Sequence, residues 1–256
     1  MFFREYVALG DSVSIDLYPA LDAGEIDVAV ALERVPQAGM VAPIGAASLL
    51  HRNDDGRWPE EQGADLSSMF PGIALRNLAT DGATIGEVFG EQLTQLEDSE
   101  ADTLVTLSVG GNDLLSAFAN KPRATLLASI ARDVADAYEF LLDAIRRARP
   151  SSLILLTTIY DPSDGTGTIP GVLENVGPLP LEVLHRMNAC IATLAEGTPG
   201  AELADVHARF LGHGATAPEA DRWYWRRSLI EPSASGAHEI RRVWRNAMDA
   251  ALDRDG

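Results

Sequence analysis

Val7-Ala8-Leu9-Gly10-Asp11-Ser12-Val13-Ser14 decides how this chain folds. Arg4 to Leu9 is short and mostly apolar, which predicts a buried strand. Gly10-Asp11-Ser12 then reads as an abrupt turn built from good turn formers. The spacing sets Ser12 just past the strand end. In an open α/β sheet, that carboxyl edge is where ligands and chemistry gather. A serine on a tight turn there presents its hydroxyl and its backbone N–H together. One residue can then be both nucleophile and oxyanion donor.

The same rhythm continues outward. Ile73 to Leu78 predicts a second strand, followed by Ala79-Thr80-Asp81-Gly82-Ala83-Thr84. Thr84 can cap a helix over Ile85 to Leu96. Asp102 to Val109, rich in β-branched residues, predicts a third strand running into Gly110-Gly111-Asn112-Asp113. Ala124 to Arg149 has an apolar period near 3.6 and stops at Pro150, the mark of a long helix. Leu153 to Ile159 and Ala201 to Val206 predict strands four and five, with a helix over Pro180 to Glu196 between them. Asp161 to Gly171 is a loop rich in Gly and Pro, and the last helix covers about Ala234 to Leu252.

Between the first two strands, Ile15 to Val35 reads as a loop with short helical turns. Ala38 to Leu50 reads as a helix and His51 to Leu66 as a polar stretch. Alternating strands and helices predict one α/β domain over residues 1–256, with a mostly parallel sheet covered by helices on both faces. Right-handed crossovers then bring Ser12, Gly82 and Asn112 to one edge, each after a different strand.

The 256 residues carry a formal net charge of −18 at pH 7. A polyanion of this kind argues against nucleic acid or an anionic membrane surface as partner. No run of about 18 apolar residues predicts a membrane span. The N-terminal Met1-Phe2-Phe3-Arg4-Glu5 does not read as a secretory signal, so a cytoplasmic location is expected. The single cysteine, Cys190, falls in an apolar helical pattern and reads as core packing.

Acyl transfer by serine needs an activated hydroxyl and a pocket of N–H donors for the tetrahedral oxyanion. The Ser12 N–H, the Gly82 N–H and the Asn112 side-chain amide would supply three donors from three loops. The missing Cβ at Gly82 lets substrate approach the backbone. These stretches resemble the SGNH, or GDSL-type, serine hydrolases. Gly10-Asp11-Ser12-Val13-Ser14 is similar to the family's first block, and Asn77 to Thr84 to its second. Gly110-Gly111-Asn112-Asp113 is similar to its Gly-x-Asn-Asp block. The resemblance implies a flavodoxin-like three-layer sandwich around a five-stranded sheet. It implies ester hydrolysis with no metal or organic cofactor. Ser12 would be the nucleophile, and Ser12, Gly82 and Asn112 the oxyanion hole.

The family's fourth block, Asp-x-x-His-Pro, is where this sequence departs. Pro232 and Gly236 set the register of Ser228 to His238, and Glu231 then stands in the place of the family's catalytic histidine, with Ser228 in that of its aspartate. A serine without a base is a poor nucleophile. His238, two helical turns past Glu231 and on roughly the same face, is the favoured substitute, although that spacing is on the order of 10 Å. Glu231 serves instead if Trp223, Trp225 or Pro232 desolvates it.

His207 and His213 in the connector after strand five, and Asp16, are further groups near the edge. His51 and His185 read as structural. The aromatic triplet Trp223-Tyr224-Trp225 reads equally as a substrate groove or a loop anchor.

The expected activity is that of an esterase or acylhydrolase acting on a small-molecule ester through an acyl-enzyme on Ser12. The alternatives are a catalytically impaired relative that binds an acyl or carbohydrate ligand, and an acyltransferase using the same serine.

Overall fold

A computed structural model describes residues 1–33, 41–120, 123–172 and 177–255. The chain enters through β1 (Glu5–Gly10) and short helices α1 (Leu17–Asp22), α2 (Val28–Glu33), α3 (Ala46–His51) and α4 (Leu66–Met69). Then follow β2 (Ala74–Asn77), α5 (Ile85–Glu87), β3 (Thr103–Ser108), α6 (Gly111–Asn120), α7 (Arg123–Ala148) and β4 (Ser152–Thr157). The remainder is α8 (Leu181–Gly197), β5 (Ala201–Ala204), α9 (Val206–Phe210), β6 (Tyr224–Trp225), β7 (Ser228–Pro232) and α10 (Ala234–Asp255).

The first five strands form one sheet in the order β2-β1-β3-β4-β5. Every pairing is parallel, with Val7 opposite Arg76 on one side and Val105 on the other. The parallel sheet covered on both faces that the strand–helix rhythm predicts is therefore present, and so is the five-stranded, flavodoxin-like sandwich that the resemblance implies. Connections leave β1 and β3 in opposite directions, so a crevice opens between their carboxyl ends. Ser12 follows β1 and Asn112 follows β3 at that crevice.

Strand side chains alternate between two apolar layers. Val7, Leu9, Val105, Leu107, Ile154 and Leu156 pack with Tyr138 and Ile145 of α7 and with Met187 and Ile191 of α8. Tyr6, Ala8, Leu104 and Leu155 pack on the other face with Leu49 and Leu50 of α3 and with Ile240, Trp244 and Met248 of α10. Burial on both faces is why the strands read as continuous apolar runs.

Four expectations are corrected. The helix expected over Ala38 to Leu50 begins only at Ala46, after Pro43 and Gly45; residues 38–40 lie outside the described residues. A Cβ on Gly45 would meet the Ile15 carbonyl oxygen at 2.2 Å, so this turn is tight. The helix over Ile85 to Leu96 is one α turn, a π turn over Val88–Gln92 and a 3-10 turn over Leu93–Gln95. Gly111-Asn112-Asp113, expected in a loop after strand three, is the first turn of α6. The connector after β5 contains α9 and the antiparallel hairpin β6–β7, whose first strand, with two residues, is too short to show an alternating pattern.

Candidate active site

Gly10 ends β1 with φ +130°. A Cβ there would meet the Ser108 carbonyl oxygen at 1.9 Å, so only glycine fits between β1 and β3. Asp11 N donates to that same carbonyl at 3.0 Å. Asp11 then caps a single 3-10 turn, Ser12–Ser14, accepting from Val13 N at 3.1 Å. The Ser14 and Ser108 hydroxyls are 2.8 Å apart, a second tie from the turn to β3. Ser12 is held in this turn with 7% of its surface exposed.

The second and third loops meet beside it. The Asn112 Nδ2 donates to the Ala83 carbonyl at 3.1 Å, which leaves one N–H of that amide to point elsewhere. The neighbouring Asp113 carboxylate accepts from Ile85 N at 3.1 Å, at the start of α5. Thr84 and Glu87 close a capping box on the same helix end. Gly82, two residues before that cap, has φ +72°. Asn112 and Asp113 thus brace the loop that carries Gly82.

β7 packs against the Ser12–Ser14 turn and carries Glu231 to it. Glu231 is buried and lines the same cavity as Ser12. Burial raises its pKa from 4.5 to about 7; the nearby Ser12 hydroxyl pulls it back down, and the charge of Asp81 adds to the rise. Its Oε2 is buried without a hydrogen-bond partner. Asp11 lies close enough to interact with it. Burial lifts the Asp11 pKa to about 8, opposed by the Val13 N–H and helped by the charge of Glu231. In the sequence Asp11 reads as a turn former. A carboxylate buried at a strand end leaves no mark in local pattern.

His238 is not brought to Ser12. Its ring stacks flat on Trp58 at 4.9 Å, Arg241 Nη2 lies 2.9 Å from its Nδ1, and Glu60 lies 3.8 Å from its Nε2. Burial and then the Arg241 charge lower its pKa. On α10 the two-turn offset from Glu231 carries the imidazole onto the face packed against Trp58. His207 sits on α9 with Nδ1 3.1 Å from the Ile159 carbonyl, its ring edge-on to His185. His213 stacks on Trp223 at 3.5 Å and reaches the Asp221 carbonyl. Neither lines the cavity at Ser12. Asp16 accepts from Gly45 N at 2.7 Å and from the Ser48 hydroxyl, fixing the start of α3. In the aromatic triplet, Tyr224 packs in the core on Tyr160 and Phe210, whereas Trp225 contacts Tyr18.

The cavity beside Ser12 encloses about 860 Å³ of empty space, its open mouth included. It runs along the carboxyl edge of β3 and β4, with Leu114, Leu115 and Phe118 of α6 on one wall and Leu181 and Leu184 of α8 on another. Among the described residues lining it, none is basic, and Asp11, Asp161 and Glu231 are acidic.

Residues 38–238 match the model of the GDSL-like lipase/acylhydrolase family. The match takes in Gly82, Asn112 and Glu231 and begins after Ser12. No curated protein matches the chain. Similar solved structures include an extracellular lipase from Streptomyces rimosus, with TM-score 0.60 and 22% identity over 95% of this chain and 99% of that one. A phospholipase A1 from Streptomyces albidoflavus has TM-score 0.59 and 20% identity over 96% and 99%. An acetylxylan esterase from Geobacillus stearothermophilus has TM-score 0.60 and 15% identity over 96% and 94%. At these identities the structural likeness speaks for the fold. With its family match extending over most of its length, the chain belongs to the GDSL-like lipase/acylhydrolase family, enzymes of the esterase and lipase type.

Proposed function

We propose that this enzyme hydrolyses carboxylic esters through an acyl-enzyme on Ser12, with Glu231 as the general base. The observation that carries this reading is the Glu231 carboxyl group, buried in the same cavity as Ser12, with a pKa raised to about 7. A base works best with a pKa near the working pH, and an exposed glutamate would be too weak.

In the first half-reaction the Ser12 oxygen attacks the ester carbonyl carbon while its proton passes to Glu231. The carbonyl oxygen becomes an oxyanion facing the N–H groups of Ser12 and Gly82 and the free N–H of Asn112. Collapse breaks the bond to the alcohol oxygen, which leaves with the proton held by Glu231. Water then attacks the acyl-serine, gives its proton to Glu231, and the acid departs as Ser12 regains a proton.

The apolar walls of the cavity, and the absence of basic side chains among its described lining residues, support an uncharged ester with an apolar group. An anionic substrate would find no cationic partner among the described lining residues and would meet the acidic side chain of Asp161.

A fluorophosphonate probe and a p-nitrophenyl ester assay test the reading together. Labelling at Ser12, turnover, and loss of both in Ser12→Ala are expected. Turnover that survives in Ser12→Ala removes Ser12 as nucleophile. Absence of both labelling and turnover in the wild-type protein refutes the hydrolase itself.

A further inference from the structure

The turn that carries Ser12 is held from β3 by Ser108. On its other side β2 ends too early to hold it, since the last residue of β2 paired with β1 is Asn77, opposite Ala8. Leu78 N still donates to the Ala8 carbonyl at 2.9 Å, and Thr80 N to the Gly10 carbonyl at 3.1 Å. The N–H of Gly10 has no strand partner there. The Gln92 side chain supplies one. Its Oε1 accepts from Gly10 N at 2.8 Å, and its Nε2 donates to Gly10 O at 2.8 Å. The same Nε2 lies 3.2 Å from the Thr80 hydroxyl. One carboxamide thus stands in for a peptide unit of β2 and links the Ser12 turn to the loop that carries Gly82.

Gln92 is 1% exposed. It falls in the buried stripe Ile85, Val88, Gln92 and Leu96, whose other members are apolar. It also closes the π turn, in which Leu93 N donates to Val88 O. π turns inside helices occur disproportionately at functional sites. Burying a carboxamide in an apolar stripe is costly unless its donors and acceptor are paired, and here they are paired to the backbone that aims the nucleophile.

We propose that Gln92 is a positioning residue for catalysis: through Gly10 and Thr80 it fixes the Ser12 turn relative to the Gly82 loop, so that nucleophile and oxyanion donors are set at one distance. The proposal rests on the reading of Ser12 as nucleophile. Gln92 touches neither substrate nor reacting atoms. Its removal acts by letting the two loops drift, and a drift of about 1 Å costs on the order of 10²-fold in rate.

The test compares the wild type with Gln92→Met, which keeps the length and removes the hydrogen bonds, and with Thr80→Val, which removes only the exposed second anchor. Steady-state kinetics on a p-nitrophenyl ester, the rate of fluorophosphonate labelling and the melting temperature are measured for each. Gln92→Met is expected to lower kcat about 10- to 100-fold with little change in KM. The labelling rate should fall in parallel, well below the melting temperature. Thr80→Val should give a smaller loss with the same kcat-against-KM split, and it decides the matter if Gln92→Met does not fold. A lowered melting temperature with unchanged kcat would make Gln92 purely structural. A rise in KM that accounts for the whole loss would move it to substrate binding; either outcome overturns the proposal. Ser12→Ala run in the same assays separates these outcomes from a failure of the nucleophile assignment, since that failure shows as turnover persisting without Ser12.

Discussion

At the scale of single residues, the unusual feature is a pair of carboxyl groups where a serine hydrolase needs a base. Glu231, with its pKa near 7, must be ionised to take the Ser12 proton, so kcat should rise as pH passes through about 7. Asp11, with its pKa near 8, is still protonated there. Its ionisation at higher pH adds negative charge beside a developing oxyanion, so activity should fall again above about 8. The two limbs belong to the pair and not to one residue. Asp11→Asn keeps an acceptor for Val13 N and should remove the upper limb, leaving a single rise with pH from Glu231. Glu231→Gln should cost about 10²- to 10⁴-fold in kcat, the range for a lost general base. His238→Ala should leave kcat nearly unchanged, because its ring serves Trp58 and Arg241. A pH–rate profile of the three variants checks all of this, and a dead His238→Ala with normal folding would return the base to the imidazole. Asn112→Ala should lose on the order of 10²-fold in kcat, the cost of one oxyanion donor.

At the scale of elements, the strands and the long helices were readable because each carries its own periodic signal. Burial on both faces made β1, β3 and β4 apolar runs, and the 3.6 period of α7 needed no partner to be seen. The hairpin β6–β7 has no such signal, since two residues of β6 cannot alternate. The three loops with Ser12, Gly82 and Asn112 stood out as contiguous blocks, whereas the state of Glu231 did not. Its ionisation depends on groups distant in sequence, among them Ser12 and Asp81.

The hairpin is fixed at several points. The Tyr160 hydroxyl donates to Ile230 O at 2.7 Å, and Ser233 N donates to Trp223 O at 2.9 Å. Ser233 in turn receives Gly236 N on its hydroxyl at 3.0 Å. A Cβ at Gly236 would meet the Trp223 carbonyl oxygen at 2.0 Å. Gly236→Ala should therefore push the hairpin off α10 and shift Glu231 from Ser12. Overpacking of this kind costs typically 1–3 kcal/mol of stability, and the misplaced base should lower kcat by roughly tenfold or more. Kinetics below the melting temperature, with circular dichroism as the folding control, decide it; a stable variant with full kcat would mean that the hairpin does not aim the base.

At the scale of the whole molecule, the site draws on stability supplied elsewhere. Two apolar layers hold the sheet, and Trp244, fully buried in one of them, donates from its indole to the Thr157 hydroxyl at 2.9 Å. Against that frame stands a buried acid. In the unfolded chain Glu231 ionises near 4.5, and in the fold only near 7. The folded state therefore keeps a proton that the unfolded state releases between those values. Stability drains away as pH rises through that window, by on the order of 3 kcal/mol once Glu231 is fully charged. Glu231→Gln mimics the neutral acid at every pH. It should match the wild type near pH 4 and melt higher at pH 8, by on the order of 5–10 °C for a chain of this size. The net charge of −18 also weakens the compact state as pH rises. That repulsion acts on both proteins almost equally, so the difference between their melting curves isolates Glu231. A gap that stays constant from pH 4 to 8 would mean that Glu231 ionises in the fold as it does in the unfolded chain, and its role as a base tuned by burial would fall with it.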